Sequence, residues 1–273
     1  MKILSAVAAI IFLIAVVATA ETANDLSDAE IQGRQLARQL LETQPTESST
    51  NSGTLNVRDD PKSQHSPGMM WCETVVTSTN WQTTYYCKYL LDNENEAPET
   101  LIIIHTPNAS NQYFYATNQV DSQDFKYQSV KTGTNILLEL QFQPKLKLVP
   151  PEAAESLAFC GSDFLAGDLG LEFFHWPEQK ILKRENSRTR ICKVLESTNP
   201  NPSTNGYSRV DSWIDEESLG IVQAYAYDAN GKKLKEFYPK DFKNVDGQWQ
   251  VGMMEMDNVQ TGSRSRIEFD LKK

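Results

Sequence analysis

YSRVDSWIDEESLGIVQAYAYDANGKKLKEFYPKDFKNVDGQWQVGMMEMDNVQTGSRSRIEFDL, residues 207–271, decides the fold class. Apolar runs of about ten residues alternate with Asn230-Gly231, Asp246-Gly247 and Thr261-Gly262, pairs that tolerate the positive φ a reversing chain needs. In the last run Arg264, Arg266, Glu268 and Asp270 alternate with Ile267, Phe269 and Leu271, which gives one charged and one apolar strand face. The stretch is therefore a predicted β-meander and the protein is predicted to be mainly β. In LGIVQAYAYD bulky residues alternate with small ones, so both faces of that strand are expected to be at least partly covered.

Outward from the meander, the 206 residues that precede it divide by texture. Lys2 followed by the apolar run Ile3–Val17 and by Ala18-Thr19-Ala20 has the form of a signal peptide, residues 1–20, with cleavage between Ala20 and Glu21. The run is short for a bilayer span, which takes about 20 apolar residues. Residues 21–273 are read as a single domain, exported to a periplasmic or secreted location. Leu26, Ile31, Leu36, Leu40 and Leu41 lie near helical spacing behind Asp25 or Ser27 as N-cap, so one amphipathic helix precedes the strands. Residues 43–53, rich in Ser, Thr, Asn and Pro, are expected to form an exposed connection. MMWCETVV, WQTTYYCKYLL, TLIIIHT, QYFYAT and NILLELQF are predicted strands, rich in β-branched and aromatic residues. From Pro144 to Gly170 the texture changes to short helices or a crossover, before LEFFHW and QKILKRENSRTRICKVLES resume the strand pattern.

Composition excludes several function classes. The net charge of −10 repels nucleic acid, so no nucleic-acid partner is expected. No nucleophile elbow, phosphate loop or HExxH motif is present, and His65, His105 and His175 are widely spaced. No catalytic residue, metal site or cofactor is assigned, and the protein is not expected to be an enzyme. Asp228-Ala229-Asn230-Gly231 with Glu236 lacks the spacing of a calcium loop and is read as a hairpin turn. Asn108-Ala109-Ser110 fits a glycosylation sequon.

Cys72, Cys87, Cys160 and Cys192 lack zinc spacing and, in an exported chain, are predicted to form disulfides. Cys72 and Cys87 are symmetric about Thr79-Asn80, so a hairpin centred there would set them opposite one another and leave Cys160 for Cys192. Trp71, Trp81, Trp176, Trp213 and Trp249, with Met69, Met70, Met253, Met254 and Met256, are read as core or as an adaptable apolar surface.

The order of an exported helix, strands, Gly161-Ser162-Asp163-Phe164 with Asp168-Leu169 close behind, then the meander with Asp246-Gly247-Gln248-Trp249, resembles the outer-membrane lipoprotein-sorting proteins, the LolA-like family. The resemblance implies an open antiparallel β half-barrel wrapped around an N-terminal helix, with short lid helices. It also implies a carrier whose partners are lipid or lipoprotein acyl chains and a transient membrane-protein partner, acting as a monomer. The alternative is a secreted non-enzymatic scaffold or protein-interaction module with a closed core.

An odd loop at Asn258–Gly262 would pair Met253 with Ile267, Val251 with Phe269 and Trp249 with Leu271, all apolar. On the carrier reading, Trp249, Val251, Met253, Ile267 and Phe269 form the concave acyl-binding face, joined by Tyr225 and Tyr227 from the neighbouring strand.

Overall fold

The computed structural model describes residues 26–59, 67–89, 98–107, 109–116, 130–132, 135–137, 146–203, 206–245 and 248–271. The signal peptide with Ala20 and Glu21, His65, Asn108 of the sequon, the Asp246-Gly247 turn and most of NILLELQF lie outside them, as does the side chain of Trp249.

The first element is α1 (Asp28–Glu42), and its start is fixed locally. Ser27 caps it, with Glu30 Oε2 accepting from the Ser27 backbone at 2.8 Å while Glu30 N donates back to Ser27 Oγ. Five strands follow: β1 (Ser49–Arg58), β2 (Gly68–Val76), β3 (Trp81–Tyr89), β4 (Glu99–His105) and β5 (Gln112–Ala116). β6 (Val130–Thr132) and β7 (Asn135–Leu137) pair only with each other. β8 (Lys147–Val149) leads into α2 (Pro151–Ala154), α3 (Ala166–Leu169) and a 3-10 helix, Glu172–His175. The rest is β9 (Glu178–Ser187), β10 (Arg190–Thr198), β11 (Arg209–Asp215), β12 (Ile221–Tyr227), β13 (Lys233–Val245), β14 (Gln248–Asn258) and β15 (Arg264–Phe269).

Thirteen of these strands form one open sheet in the order β8-β5-β4-β3-β2-β1-β15-β14-β13-β12-β11-β10-β9. The predicted meander is β11 to β15, which with β9 and β10 makes the C-terminal half of the sheet, and β1 pairs antiparallel with β15 to join that half to the N-terminal one. Gly53 is what permits that seam to close, since a Cβ there would lie 2.2 Å from the Glu268 carbonyl oxygen. Part of the segment expected to be an exposed connection is therefore β1. Its Ser, Thr and Asn side chains disguise a strand whose inner positions are Leu55 and Val57.

Residues 150–176 fill the inner face of the sheet and act as a plug. Phe159, Phe164 and Ala166 pack on Leu55, Met70, Tyr85, Leu101, Ile103 and Tyr113 from β1 to β5 and on Met256 and Ile267 from β14 and β15. Burying each large apolar side chain contributes about 1.5–3 kcal/mol, so this interface is a major source of the fold's stabilisation. A second cluster joins Leu36 and Ala37 of α1 and the plug's Phe173, Phe174 and Trp176 to Leu195, Val210, Ile214, Ala224 and Ala226. The helix α1 thus sits toward the β9 end, where Gly33 rests on the Gln179–Lys180 backbone, and the plug occupies the middle.

LEFFHW, expected as a strand, is the 3-10 helix. Leu171 takes a left-handed φ of 52°, and Phe173 and Phe174 are both buried, with ring centroids 4.5 Å apart. An extended strand would have sent them to opposite faces.

The last hairpin also departs from the predicted register. Its loop is even, with Met254 opposite Ile267 and Met253 opposite Glu268. Asn258 closes it: its Oδ1 accepts from Gln260 N at 3.1 Å and Thr261 N at 3.2 Å, and Gly262 takes a φ of 77°. Opposite charges then meet on the outer face, Glu255 across from Arg266 at 2.8 Å and Asp257 across from Arg264. Matching apolar residues alone ignored this cross-strand charge pairing.

Candidate functional site

A cavity of about 510 Å³ lies between the plug and the C-terminal half of the sheet. Leu40 of α1 closes one side, and the plug supplies Phe164, Leu169, Phe173 and Phe174. The opposite wall is Val210, Ile221, Ala224, Ala226, Phe237, Pro239, Met254 and Met256, with Tyr85 reaching in from β3. The volume falls within the roughly 300–1,000 Å³ of small-molecule pockets, and the lining is mostly aliphatic or aromatic.

Strand pleating explains why the space exists. Ala224 and Ala226 point inward and are buried, so β12 presents two methyl groups where a larger side chain would fill the cavity. Their bulky neighbours point outward. Tyr225 meets Trp213 at 4.8 Å between centroids, and the Arg209 guanidinium lies 4.1 Å from the centre of the Tyr227 ring. Tyr225 and Tyr227, expected in the acyl site, therefore belong to the outer face.

Of the other expected lining residues, Val251 borders the cavity together with Phe242. The left-handed backbone at Asp241 (φ 51°), set against Gly252, breaks the alternation there and turns both side chains in. Ile267 is fully buried and Phe269 partly buried in the core beneath the plug, rather than against the cavity. Met253 stands opposite Glu268, and the cavity takes its neighbours Met254 and Met256 instead. The alternation of small with bulky residues in β12 also pointed to the cavity wall, though it was read with the wrong face inward.

One end of the cavity is polar. Lys235 donates from its ammonium to the Asp163 carbonyl oxygen and faces the Asp168 carboxylate. Asp168 Oδ2 accepts from Leu165 N at 2.8 Å and from the Tyr207 hydroxyl at 3.1 Å. Burial lowers the Lys235 pKa and raises that of Asp168, and their mutual attraction opposes both shifts. The cavity thus combines an apolar body with one charged, hydrogen-bonded wall.

His105 and His175 border a separate, more polar cavity of about 730 Å³ beside α1. His105 stacks on Trp81 at 4.9 Å and 11°, and burial pushes its pKa down to about 4 although its hydrogen bond to Asn111 opposes the shift. It is an uncharged, packed ring near neutral pH. Among the described residues, no group of three His, Cys, Asp or Glu side chains is placed to hold a metal ion.

The expected cysteine pairing is not the one the fold brings together. The β2–β3 loop is Thr77–Asn80, closed by Thr77 N to Asn80 O at 2.9 Å, so its centre falls one residue earlier than expected. Cys72 then lies opposite Tyr85, and Cys87 opposite Met70. Cys160 is buried in the plug, while Cys192 packs with Val194 and Trp213 in a different cluster. All four are free thiols here.

An open antiparallel sheet of thirteen strands, curled over a helical plug with an apolar cavity between them, is the LolA-like half-barrel fold. The chain is similar to a domain named for outer membrane lipoprotein sorting from Vibrio parahaemolyticus, with a TM-score of 0.66, 16% identity and coverage of 89% of this chain and 92% of that one. It is similar also to a DUF1329 family protein from Desulfovibrio piger, with a TM-score of 0.64, 14% identity and coverage of 89% and 92%. A LolA superfamily protein from Nitrosomonas europaea aligns with a TM-score of 0.53 and 14% identity over 90% and 93% of the two chains. A family model described as an uncharacterized protein matches residues 140–272. Among curated proteins no sequence matches the chain.

Proposed function

We propose that the protein is an exported, non-enzymatic carrier that holds the acyl chains of a lipid or lipoprotein between the plug and the sheet. The cavity is the observation that carries this reading. Its apolar lining suits hydrocarbon, and Lys235 at its polar end suits a polar or anionic head. The fold shared with a domain named for lipoprotein sorting supports extending the proposed cargo class to lipoprotein acyl chains and the proposed location to the periplasm. Delivery then involves a transient membrane-protein partner, with the carrier itself monomeric.

Native mass spectrometry and organic extraction of the purified full chain test the reading. Bound acyl species, and saturable uptake of a fluorescent fatty acid, are expected. A folded, monodisperse protein that carries no lipid and takes up no fatty acid would refute it.

A further inference from the structure

We propose that Cys87 and Cys160 are a disulfide-forming pair which, when oxidised, staples the plug to β3. Glu99, the cross-strand partner of Cys87, accepts from the Cys160 N–H, Tyr89 two residues along β3 donates to the Cys160 carbonyl oxygen at 2.7 Å, and both cysteine side chains are buried in the same core cluster. The proposal is independent of what the cavity binds.

The backbone around Cys160 supplies a second observation. Phe159–Ser162 is a tight reverse turn, with Ser162 N donating to Phe159 O at 2.9 Å and Phe159 N donating to Phe164 O at 2.8 Å. Both central residues are left-handed, Cys160 at φ 51° and Gly161 at φ 62°. Such turns favour Asn, Asp or Gly, and turn chemistry gives no reason for a cysteine at the first position. Its placement against Cys87 does. The strained residue is pinned on both sides, its carbonyl oxygen accepting from the Tyr89 hydroxyl at 2.7 Å and its N–H donating to the Glu99 carboxylate.

The other thiols are placed elsewhere. Cys72 is the diagonal neighbour of Cys87 across the β2–β3 ladder, roughly 7–8 Å away, beyond what a disulfide spans without backbone movement. Its thiol is hydrogen-bonded to Tyr85 instead. Cys192 lies in the separate cluster with Val194 and Trp213.

Oxidation needs an external disulfide. With oxidised glutathione, one cysteine thiolate attacks a glutathione sulfur and releases one glutathione thiolate. The second cysteine thiolate then attacks the protein sulfur of the mixed disulfide and releases the other. The protein loses two protons and two electrons, and the glutathione disulfide becomes two glutathione thiols. Since Cys87 and Cys160 are 0% and 4% exposed, the exchange takes place while the plug is off the sheet, during folding or on opening. Phe164 and Leu169, which follow in the plug, line the cavity, so the staple fixes one of its walls.

The test is refolding of the full chain with oxidised glutathione, alkylation in denaturant and proteolysis without reduction. A linked Cys87–Cys160 peptide is expected, with Cys72 and Cys192 alkylated. The double variant Cys72→Ser/Cys192→Ser should retain the whole of that link, and its thermal midpoint should fall when dithiothreitol is added. A dominant link through Cys72 or Cys192, four alkylated cysteines, or failure of the double variant to cross-link would overturn the proposal.

Discussion

Asp163 and Ser265 hydrogen-bond each other twice, Ser265 Oγ donating to Asp163 Oδ2 at 2.8 Å and accepting from Asp163 N at 2.7 Å. Ser263 and Asn258 donate to the other carboxylate oxygen at 2.7 and 3.2 Å, so one plug residue fastens the whole last hairpin. Ser265 is fully buried, and Ser265→Ala leaves the Asp163 N–H and one carboxylate lone pair without a partner. A loss of about 1–3 kcal/mol is expected. Urea denaturation should show a lower midpoint at unchanged slope; an unchanged midpoint would remove Asp163 from the list of residues that hold the plug in place.

The two faces of β12 give a paired prediction. Ala226→Phe pushes a ring into the cavity and should weaken uptake of a fluorescent fatty acid on the order of tenfold, about 1.4 kcal/mol. Tyr225→Ala removes an outer-face ring that packs on Trp213, so it should lower thermal stability and leave uptake unchanged. Titrations of both folded variants decide it. The reverse pattern, loss with Tyr225→Ala and none with Ala226→Phe, would invert the assignment of faces.

The contrast marks how far the sequence could be read. Strands and turns were legible because they depend on local chemistry: Gly231 and Gly262 do take left-handed φ values of 75° and 77°, and α1 begins at Ser27, one of the two N-caps its spacing allows. Which face of a strand turns inward is set by partners far along the chain. Tyr225 looks like a lining residue until Trp213 is seen beside it on the outer face, and Met254 gains its place only because Asn258 fixes an even loop. The plug was the least legible part. Glu172, Phe173 and Phe174 are buried consecutively, which neither a strand nor an amphipathic helix period can express.

Gly252 makes a steric prediction about the kink that admits Phe242 and Val251 to the cavity. A Cβ at this position would lie 2.3 Å from the carbonyl oxygen of Asp241, the residue whose backbone is left-handed. Gly252→Ala should therefore cost roughly 1–3 kcal/mol, as overpacking does, and should disturb fatty-acid uptake more than an equally destabilising change in the first strand. Thermal melts and uptake titrations measured together check this. A variant as stable as the parent would show that the two strands separate there without strain.

Glu172 supplies a pH dependence. It is 5% exposed, accepts from the Tyr113 hydroxyl at 2.7 Å and from Asn111 Nδ2 at 3.1 Å, and ties the 3-10 helix to β5. Burial raises its pKa to about 7 from an ordinary 4.5, with Glu155 and Glu152 adding to the rise and the two hydrogen bonds opposing it. The folded protein therefore holds a proton on Glu172 that the unfolded chain releases between about pH 4.5 and 7, so this group's contribution is complete below 4.5 and is lost as pH rises through 7. His105, lowered by burial to about 4, acts with the opposite sign, its contribution being lost as pH falls from 6.5 through 4. Comparison with Glu172→Gln isolates the carboxyl, because the histidines are common to both proteins. The stability of the parent relative to the Gln variant should decline by up to about 3 kcal/mol between pH 4.5 and 7 and level off above, at about 1.4 kcal/mol per unit of pKa shift. Urea unfolding of both proteins across that range measures the difference, and a difference that stays flat or grows with pH would mean that Glu172 is ionised in the fold throughout.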